Sequence, residues 1–191
     1  MTADAPAPIP VDWSTLPTPV DDGAAAHLPG MRLPDVTLPA TDGEPVRLSD
    51  LGGTVVLYVY PMTAEPGVEL PPDWGEIPGA KGCTPQSCAF RDHFAELRAA
   101  GADAVFGVST QTREAQQEAA SRLALPFPLL SDADLALADA LQLPTFAAGG
   151  RTLHKRVTLI ARDGVIETVF YPVFPPDRNA ADVIAWLLAH P

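Results

Sequence analysis

The sequence predicts an α/β fold with a central mixed sheet, flanked by helices and preceded by an N-terminal β-hairpin. Three observations predict it. Residues 55–60 form a continuous apolar run rich in β-branched and aromatic residues, typical of a buried strand. Strand and helix patterns alternate along the chain after this run. Asp-Gly turns at residues 42–43 and 163–164 each join two apolar segments, which is a strong hairpin signal.

The first predicted elements are the two strands of the N-terminal hairpin, at residues 35–38 and 46–48, followed by the buried strand at 55–60. An irregular loop then covers residues 62–82 and contains four prolines and four glycines. Loops of this length without periodic structure are usually functional or disordered. We therefore expect the functional site to lie near this loop.

The next predicted element is a helix with Pro85 at its first position, an apolar stripe of Phe90, Phe94 and Leu97, and an end at Gly101. The remaining elements are a strand at 104–109, a helix at 113–123, a strand at 127–130, a helix after Asp132, strands at 156–161 and 165–171, and a helix at 177–189. This order implies a mostly parallel sheet covered on both faces, to which the late hairpin adds antiparallel strands. It is the layout of a thioredoxin-like fold.

The 191 residues, 47% of them hydrophobic, suffice for one domain with a full core. We assign that domain to residues 29–191. Residues 1–28 are a proline-rich N-terminal extension without periodicity. It is either disordered or laid over the domain, with Trp13 as a candidate anchor.

The formal net charge of −12 argues against nucleic acid or an anionic membrane as a partner. No apolar run approaches the roughly 20 residues that span a bilayer. The first residues lack the basic and apolar regions of a secretory signal, so we expect a cytoplasmic protein. Two cysteines in a reducing compartment seldom form a permanent disulfide, and a transient, functional disulfide is the better interpretation.

The two cysteines, Cys83 and Cys88, lie near the start of the helix that follows the buried strand. Unpaired N–H groups and a partial positive charge at a helix N-terminus favour a thiolate over a thiol. If residues 83–88 are all helical, the two Cα atoms lie about 8.7 Å apart, beyond the ~7 Å limit for a disulfide. Disulfide formation would then require the first helical turns to unwind.

Metal and phosphate sites are weaker interpretations of the same region. The four histidines have no metal-motif spacing to the cysteines, and a zinc site needs two further ligands. The sequence Gly-Ala-Lys-Gly at residues 79–82 lacks the Gly-Lys-Ser/Thr order of a phosphate-binding loop. We therefore expect no metal and no cofactor.

Several segments resemble the PrxQ-type (bacterioferritin-comigratory) peroxiredoxins. They are Tyr-Pro at 60–61, Gly-Cys-Thr-Pro-Gln-Ser-Cys at 82–88, Phe-Arg-Asp at 90–92, Pro-Leu-Leu-Ser-Asp at 128–132 and Lys-Arg-Val-Thr-Leu-Ile at 155–160. The resemblance covers about residues 28–189. It implies that Cys83 is the peroxidatic cysteine, that Cys88 is the resolving cysteine, and that Arg156 orients the thiolate and the peroxide.

The chain departs from the family motif Pro-x-x-x-Thr-x-x-Cys, because Ala80 stands where the threonine is expected. About fifteen residues, from 68 to 81 or 82, look inserted between Tyr60-Pro61 and the cysteine. We infer that Thr63 keeps the role of accepting a hydrogen bond from the peroxide. Thr84 is a competing hydroxyl, although its position better suits a helix N-cap.

The predicted function is that of a thiol-dependent peroxidase, which reduces hydrogen peroxide or organic hydroperoxides. Cys83 becomes a sulfenic acid, Cys88 condenses with it, and thioredoxin or a similar dithiol reductant reopens the disulfide. We expect a monomer or a weak homodimer. One alternative is a non-enzymatic redox sensor or binding module that uses the same disulfide switch. Another is a thioredoxin-like disulfide reductase, which the missing Cys-x-x-Cys motif disfavours.

Overall fold

The structure, a computed structural model, describes residues 10–191, so the proline-rich start of the extension, residues 1–9, lies outside the described residues. The strands are β1 (Thr37–Leu38), β2 (Val46–Arg47), β3 (Thr54–Val59), β4 (Ala104–Ser109), β5 (Leu129–Ser131), β6 (Thr145–Ala148), β7 (Arg151–His154), β8 (Val157–Arg162) and β9 (Val165–Phe170). The helices are α1 (Cys83–Asp92), α2 (Phe94–Ala99), α3 (Arg113–Arg122), α4 (Ala136–Leu141) and α5 (Asn179–Ala189).

The central sheet has five strands in the order β5-β4-β3-β8-β9. Strand β3 pairs in parallel with β4 and antiparallel with β8. Strand β4 pairs in parallel with β5, and β8 pairs antiparallel with β9. The sheet is therefore mixed, as predicted: β3, β4 and β5 pair in parallel, and the late hairpin β8–β9 adds the antiparallel strands. The chain returns to the sheet through a further hairpin, β6–β7, and enters β8 in the antiparallel direction.

The hairpin β1–β2 confirms the turn predicted at Asp42-Gly43, where Gly43 has a φ of 101°. The hairpin β6–β7 was not predicted from the sequence. Its turn consists of Gly149 and Gly150, and both have positive φ angles. An apolar cluster formed by this hairpin and the loop 62–82 includes Met62 and Trp74.

The helix predicted to run to Gly101 is two helices, α1 and α2, which are separated at His93. His93 leaves helical geometry with φ of −98° and ψ of 12°, and its ring contacts the carboxylate of Glu96 in the first turn of α2. Helix α1 begins at Cys83, so Pro85 occupies its third position rather than its first. The boundary matters because it places the candidate nucleophile at the first helical residue.

The core lies on both faces of the sheet because the side chains of β3 alternate between them. Val55, Leu57 and Val59 face a cluster with β1, β2 and α4, whereas Val56 and Tyr58 face a cluster with α1, α2 and α5. The ring of Tyr58 stacks on Phe90 of α1, with centroids 4.3 Å apart. This contact fixes α1 over the centre of the sheet.

The described part of the N-terminal extension lies against the domain. The indole Nε1 of Trp13 donates a hydrogen bond of 2.8 Å to Asp177, and its ring meets the edge of Phe174 at 6.1 Å. The prediction that Trp13 anchors this segment is confirmed. Among the described residues, no helix has the length and apolar character needed to cross a membrane.

Candidate active site

Cys83 lies at the first turn of α1, directly after the loop 62–82. The residue before it, Gly82, has a φ of 109°, a conformation that glycine adopts without strain. The Cys83 side chain is nearly buried, with 4% of its surface exposed, and its Sγ is 3.6 Å from the carbonyl oxygen of Ala80. The Cys83 side chain thus lies at the N-terminal end of a helix in a buried environment.

Arg156, which precedes β8, brings a positive charge to this sulfur. Its Nη2 lies 3.3 Å from Cys83 Sγ. The same nitrogen donates to the carbonyl oxygens of Gly79 at 3.2 Å and Lys81 at 3.2 Å, so it is held by the end of the loop. The planar guanidinium therefore supplies several N–H donors in fixed positions next to the sulfur.

A buried polar network that the sequence did not predict holds Arg156 in place. Its Nη1 donates to the Oε1 of Gln86. Gln86 Nε2 donates to Asn179 Oδ1 at 2.9 Å, and Thr158 Oγ1 donates to the same oxygen at 2.7 Å. The available sequence signal was that Gln86 is three residues after Cys83 and shares its helix face. The network links α1, β8 and α5 at the site.

Cys88 lies on α1, one and a half turns after Cys83, and only 1% of its surface is exposed. Burial raises the pKa of the Cys88 thiol, and the nearby guanidinium of Arg91 opposes this effect. Since both cysteines belong to the helix, its geometry separates their Cα atoms by about 8.7 Å, above the ~7 Å limit. A disulfide between them therefore requires local unwinding of α1.

Thr63 is buried and is fixed by Gln111, a second residue that sequence reasoning missed. The backbone N–H of Thr63 donates to Gln111 Oε1 at 2.8 Å, and its hydroxyl donates to the same oxygen at 3.2 Å. Gln111 Nε2 returns a bond of 3.1 Å to the Thr63 carbonyl. These bonds hold Thr63 next to Gln111, which follows β4, and its role in peroxide binding stays a prediction.

Thr84 does not cap α1, so the expectation of an N-cap at this residue is wrong. The N-cap is Gly82, and Thr84 is the second residue of the helix. The positive φ of Gly82 turns the chain directly into the helix and leaves Cys83, not Thr84, at its first position. Among residues 10–191, no group of three or more His, Cys, Asp or Glu side chains could hold a metal ion.

Comparison with known proteins finds relatives of this chain among the peroxiredoxins. The Redoxin family model matches residues 28–184. The peroxiredoxin Bcp of Escherichia coli K12 is 35% identical over 82% of this chain and 93% of its own length. The chloroplastic peroxiredoxin Q of Sedum lineare is 32% identical over 83% of this chain and 76% of its own length.

Solved structures of peroxiredoxins share the fold of this chain. The peroxidoxin BcpB of Mycobacterium tuberculosis superposes with a TM-score of 0.68 and 29% identity, covering 85% of this chain and 97% of the other. The peroxiredoxin Q of Xanthomonas campestris superposes with a TM-score of 0.66 and 25% identity, covering 84% and 96%.

Proposed function

Because this chain belongs to the redoxin family, and within it to the peroxiredoxins, we propose that its thiol-dependent peroxidase activity runs through Cys83 as the attacking thiolate. The observation that carries the assignment is the 3.3 Å contact between Arg156 Nη2 and Cys83 Sγ at the N-terminus of α1. The guanidinium and the helix N-terminus place N–H donors beside the reacting sulfur, where they can stabilise the charge that develops on a peroxide oxygen. The relatives do not favour the alternative of a non-enzymatic redox sensor.

In the first step, the Cys83 thiolate attacks the nearer oxygen of a hydroperoxide. A sulfur–oxygen bond forms as the oxygen–oxygen bond breaks, so the sulfur is oxidised by two electrons and the peroxide is reduced. The leaving oxygen takes a proton and departs as water or an alcohol, and Cys83 is left as a sulfenic acid. Negative charge moves from sulfur to the leaving oxygen, and a fixed cation beside both atoms stabilises that transition state.

Arg156 has one N–H donor that is free to bind a peroxide oxygen and stabilise this charge. Its Nε–H is buried and has no hydrogen-bond partner among the described residues, while Nη1 and Nη2 are both engaged. An unpaired buried donor is costly, so a site of this kind suits a ligand that supplies an acceptor. We assign the Arg156 Nε–H as a donor to a peroxide oxygen, and the Thr63 hydroxyl oxygen as an acceptor of a hydrogen bond from the peroxide O–H.

In the second step, α1 unwinds and the Cys88 thiol attacks the Cys83 sulfenic acid. A disulfide forms and the hydroxyl leaves as water with the thiol proton. A dithiol reductant of the thioredoxin type then reduces the disulfide and is itself oxidised. Since both cysteines belong to one helix, the cycle needs no second subunit, and a monomer or weak homodimer in the reducing cytoplasm suffices.

The assignment is tested with three proteins: the wild type, Cys83→Ser and Cys88→Ser. We expect Cys83→Ser to lose turnover with a thioredoxin system, because the attacking sulfur is gone. Cys88→Ser should still undergo the first oxidation and accumulate a sulfenic acid on Cys83 that dimedone traps. Turnover by Cys83→Ser would overturn the role of Cys83, and normal thioredoxin-driven turnover by Cys88→Ser would overturn the role of Cys88.

A further inference from the structure

Cys88 divides α1 into two parts that are held by different contacts. The first turns are held at the candidate active site, where Cys83 Sγ contacts Arg156 Nη2 at 3.3 Å. The part after Cys88 is held on the side of α3, because Arg91 Nη1 donates a hydrogen bond of 2.9 Å to the carbonyl oxygen of Leu123. The two anchors are separate, so the first turns can unwind while the second part of α1 stays in place.

The guanidinium of Arg91 is held in a fixed position beside the end of α3. Only 12% of the Arg91 side chain is exposed, and its Nε donates a hydrogen bond of 2.8 Å to Asp92 Oδ1. Leu123 directly follows α3, and the carbonyl groups at a helix C-terminus lack helical partners and favour a cation. Arg91 is three residues after Cys88 in α1, so the two side chains are neighbours on one face of the helix.

The ionisable groups that face Cys88 come from α1, α3 and β3. Burial raises the pKa of the Cys88 thiol, and Arg91 opposes this effect more than any other group does. Arg122 of α3 acts in the same direction, but it is paired with a carboxylate of its own helix. Asp92 acts in the opposite direction. Burial raises the pKa of the Tyr58 phenol of β3 well above its usual value, so this group stays uncharged.

From these observations we propose that Arg91 is a positioning residue for the resolving step, which keeps Cys88 in place and stabilises its thiolate while the first turns of α1 unwind. The proposal rests on the proposed role of Cys88 as the resolving cysteine. Cys83 is then the residue that moves, and it is brought to a sulfur that lies beside a fixed positive charge.

The step balances without an external oxidant. The Cys88 thiol gives up its proton, and the thiolate attacks the sulfur of the Cys83 sulfenic acid. A sulfur–sulfur bond forms, the sulfur–oxygen bond breaks, and the leaving hydroxide takes up a proton and departs as water. The Cys83 sulfur is reduced and the Cys88 sulfur is oxidised. An opposite charge nearby favours the thiolate from which this attack begins.

The test measures disulfide formation after a peroxide pulse across a range of pH, by rapid quenching, thiol alkylation and mass spectrometry. Arg91→Gln should slow disulfide formation at neutral pH by about tenfold, because the Cys88 thiolate loses the cation that favours it most. At high pH, where Cys88 is ionised in both proteins, the variant should approach the wild-type rate. Arg91→Lys keeps the charge and should recover most of the rate. A purely structural role would slow the step by the same factor at every pH.

Arg98→Gln is the matched control on α2. It also removes a guanidinium that donates to a backbone carbonyl, that of Ala102 at 2.9 Å, and it should leave the pH profile unchanged. Asp92→Asn changes the charge around Cys88 in the opposite direction, and its side chain is 52% exposed, so the fold should tolerate it. At low ionic strength this variant should speed disulfide formation at neutral pH by about twofold, the scale of one exposed charge.

Three results would overturn the proposal. They are a loss in Arg91→Gln that is absent or equal at every pH, an Arg91→Lys rate as low as that of Arg91→Gln, or an Asp92→Asn rate that does not rise. Failure of the proposed function looks different, because the oxidised wild type would then contain no disulfide between Cys83 and Cys88. Disulfide formation at the wild-type rate in Arg91→Gln contradicts only the role of Arg91.

Discussion

At the scale of single residues, the site depends on a guanidinium whose three nitrogens have different tasks. Arg156 uses Nη1 to bind Gln86, Nη2 to contact Cys83 and the loop carbonyls, and leaves Nε–H for a ligand. An ammonium is a point charge that cannot occupy these positions together. Charge alone is therefore insufficient at this position.

Arg156→Lys should slow Cys83 oxidation by roughly 10²-fold even though the charge is retained. The second-order rate constant with hydrogen peroxide, from stopped-flow tryptophan fluorescence, measures this effect. Arg47→Lys serves as the control, because its partner Asp35 is an exposed surface residue. A rate constant equal to that of the wild type would show that the guanidinium of Arg156 is not needed for the oxidation of Cys83.

Thr63→Val should also slow Cys83 oxidation by roughly 10²-fold, since it removes the hydroxyl oxygen but preserves the shape of the side chain. The fold should tolerate the change, because the backbone N–H of Thr63 still donates to Gln111. Thr84→Val is the control and should have little effect, as Gly82 caps α1. If only Thr84→Val slows the reaction, the role belongs to Thr84.

The buried Cys88 predicts a pH dependence. In Cys83→Ser, thiolate absorbance at 240 nm should titrate with a midpoint above the ~8.5 of a free cysteine, because burial raises the pKa of Cys88. In urea the midpoint should return to about 8.5. The folded protein then binds this proton more tightly than the unfolded chain, so the free energy of unfolding falls as pH rises above about 8.5. A midpoint in the native protein at or below 8.5 would contradict the prediction.

At the scale of elements, the entry into α1 depends on a glycine for two separate reasons. Gly82 has a φ of 109°, and a side chain there would begin 2.3 Å from Pro176 and 2.9 Å from Trp13. Gly101, after α2, has nearly the same φ of 108° but nothing within 4 Å. Alanine substitutions at these two glycines therefore separate the cost of backbone strain, which both share, from the cost of steric overlap, which only Gly82 has.

Gly101→Ala should cost about 1–2 kcal/mol of stability, through the left-handed backbone alone. Gly82→Ala should cost a further 1–3 kcal/mol or more, because the added methyl overlaps two side chains. Urea unfolding of both variants measures the difference. Equal losses of stability in the two variants would mean that Pro176 and Trp13 can move away from the added methyl group at no energetic cost.

The elements also show which parts of the molecule could be predicted from the sequence. Strand β3 and the hairpin β1–β2 were predictable because burial and turn chemistry are local signals. The hairpin β6–β7 and the break at His93 were not, because short strands and helix interruptions depend on tertiary contacts. The same distinction holds at the site: the cysteine motif and its arginine are recognisable in the sequence, whereas Gln86 and Gln111 acquire their roles only through folding.

At the scale of the whole molecule, the N-terminal extension packs against the start of α1. Trp13 bonds to Asp177, packs on Phe174 and lies against Gly82, at the turn that must unwind before Cys83 can meet Cys88. Unwinding therefore requires this segment to move as well. We therefore expect the extension to stabilise the closed helix and to slow the second step of the cycle.

Trp13→Ala should speed disulfide formation by about tenfold, because it removes one hydrogen bond and one aromatic contact, together worth about 1–3 kcal/mol. The oxidation of Cys83 itself should proceed at the wild-type rate, since Trp13 bonds to neither Arg156 nor Cys83. Rapid quenching after a peroxide pulse, followed by thiol alkylation and mass spectrometry, separates the two steps without relying on tryptophan fluorescence. Val11→Ala in the same segment is the control and should leave both rates unchanged. An unaltered rate of disulfide formation in Trp13→Ala would mean that α1 opens without displacing the extension.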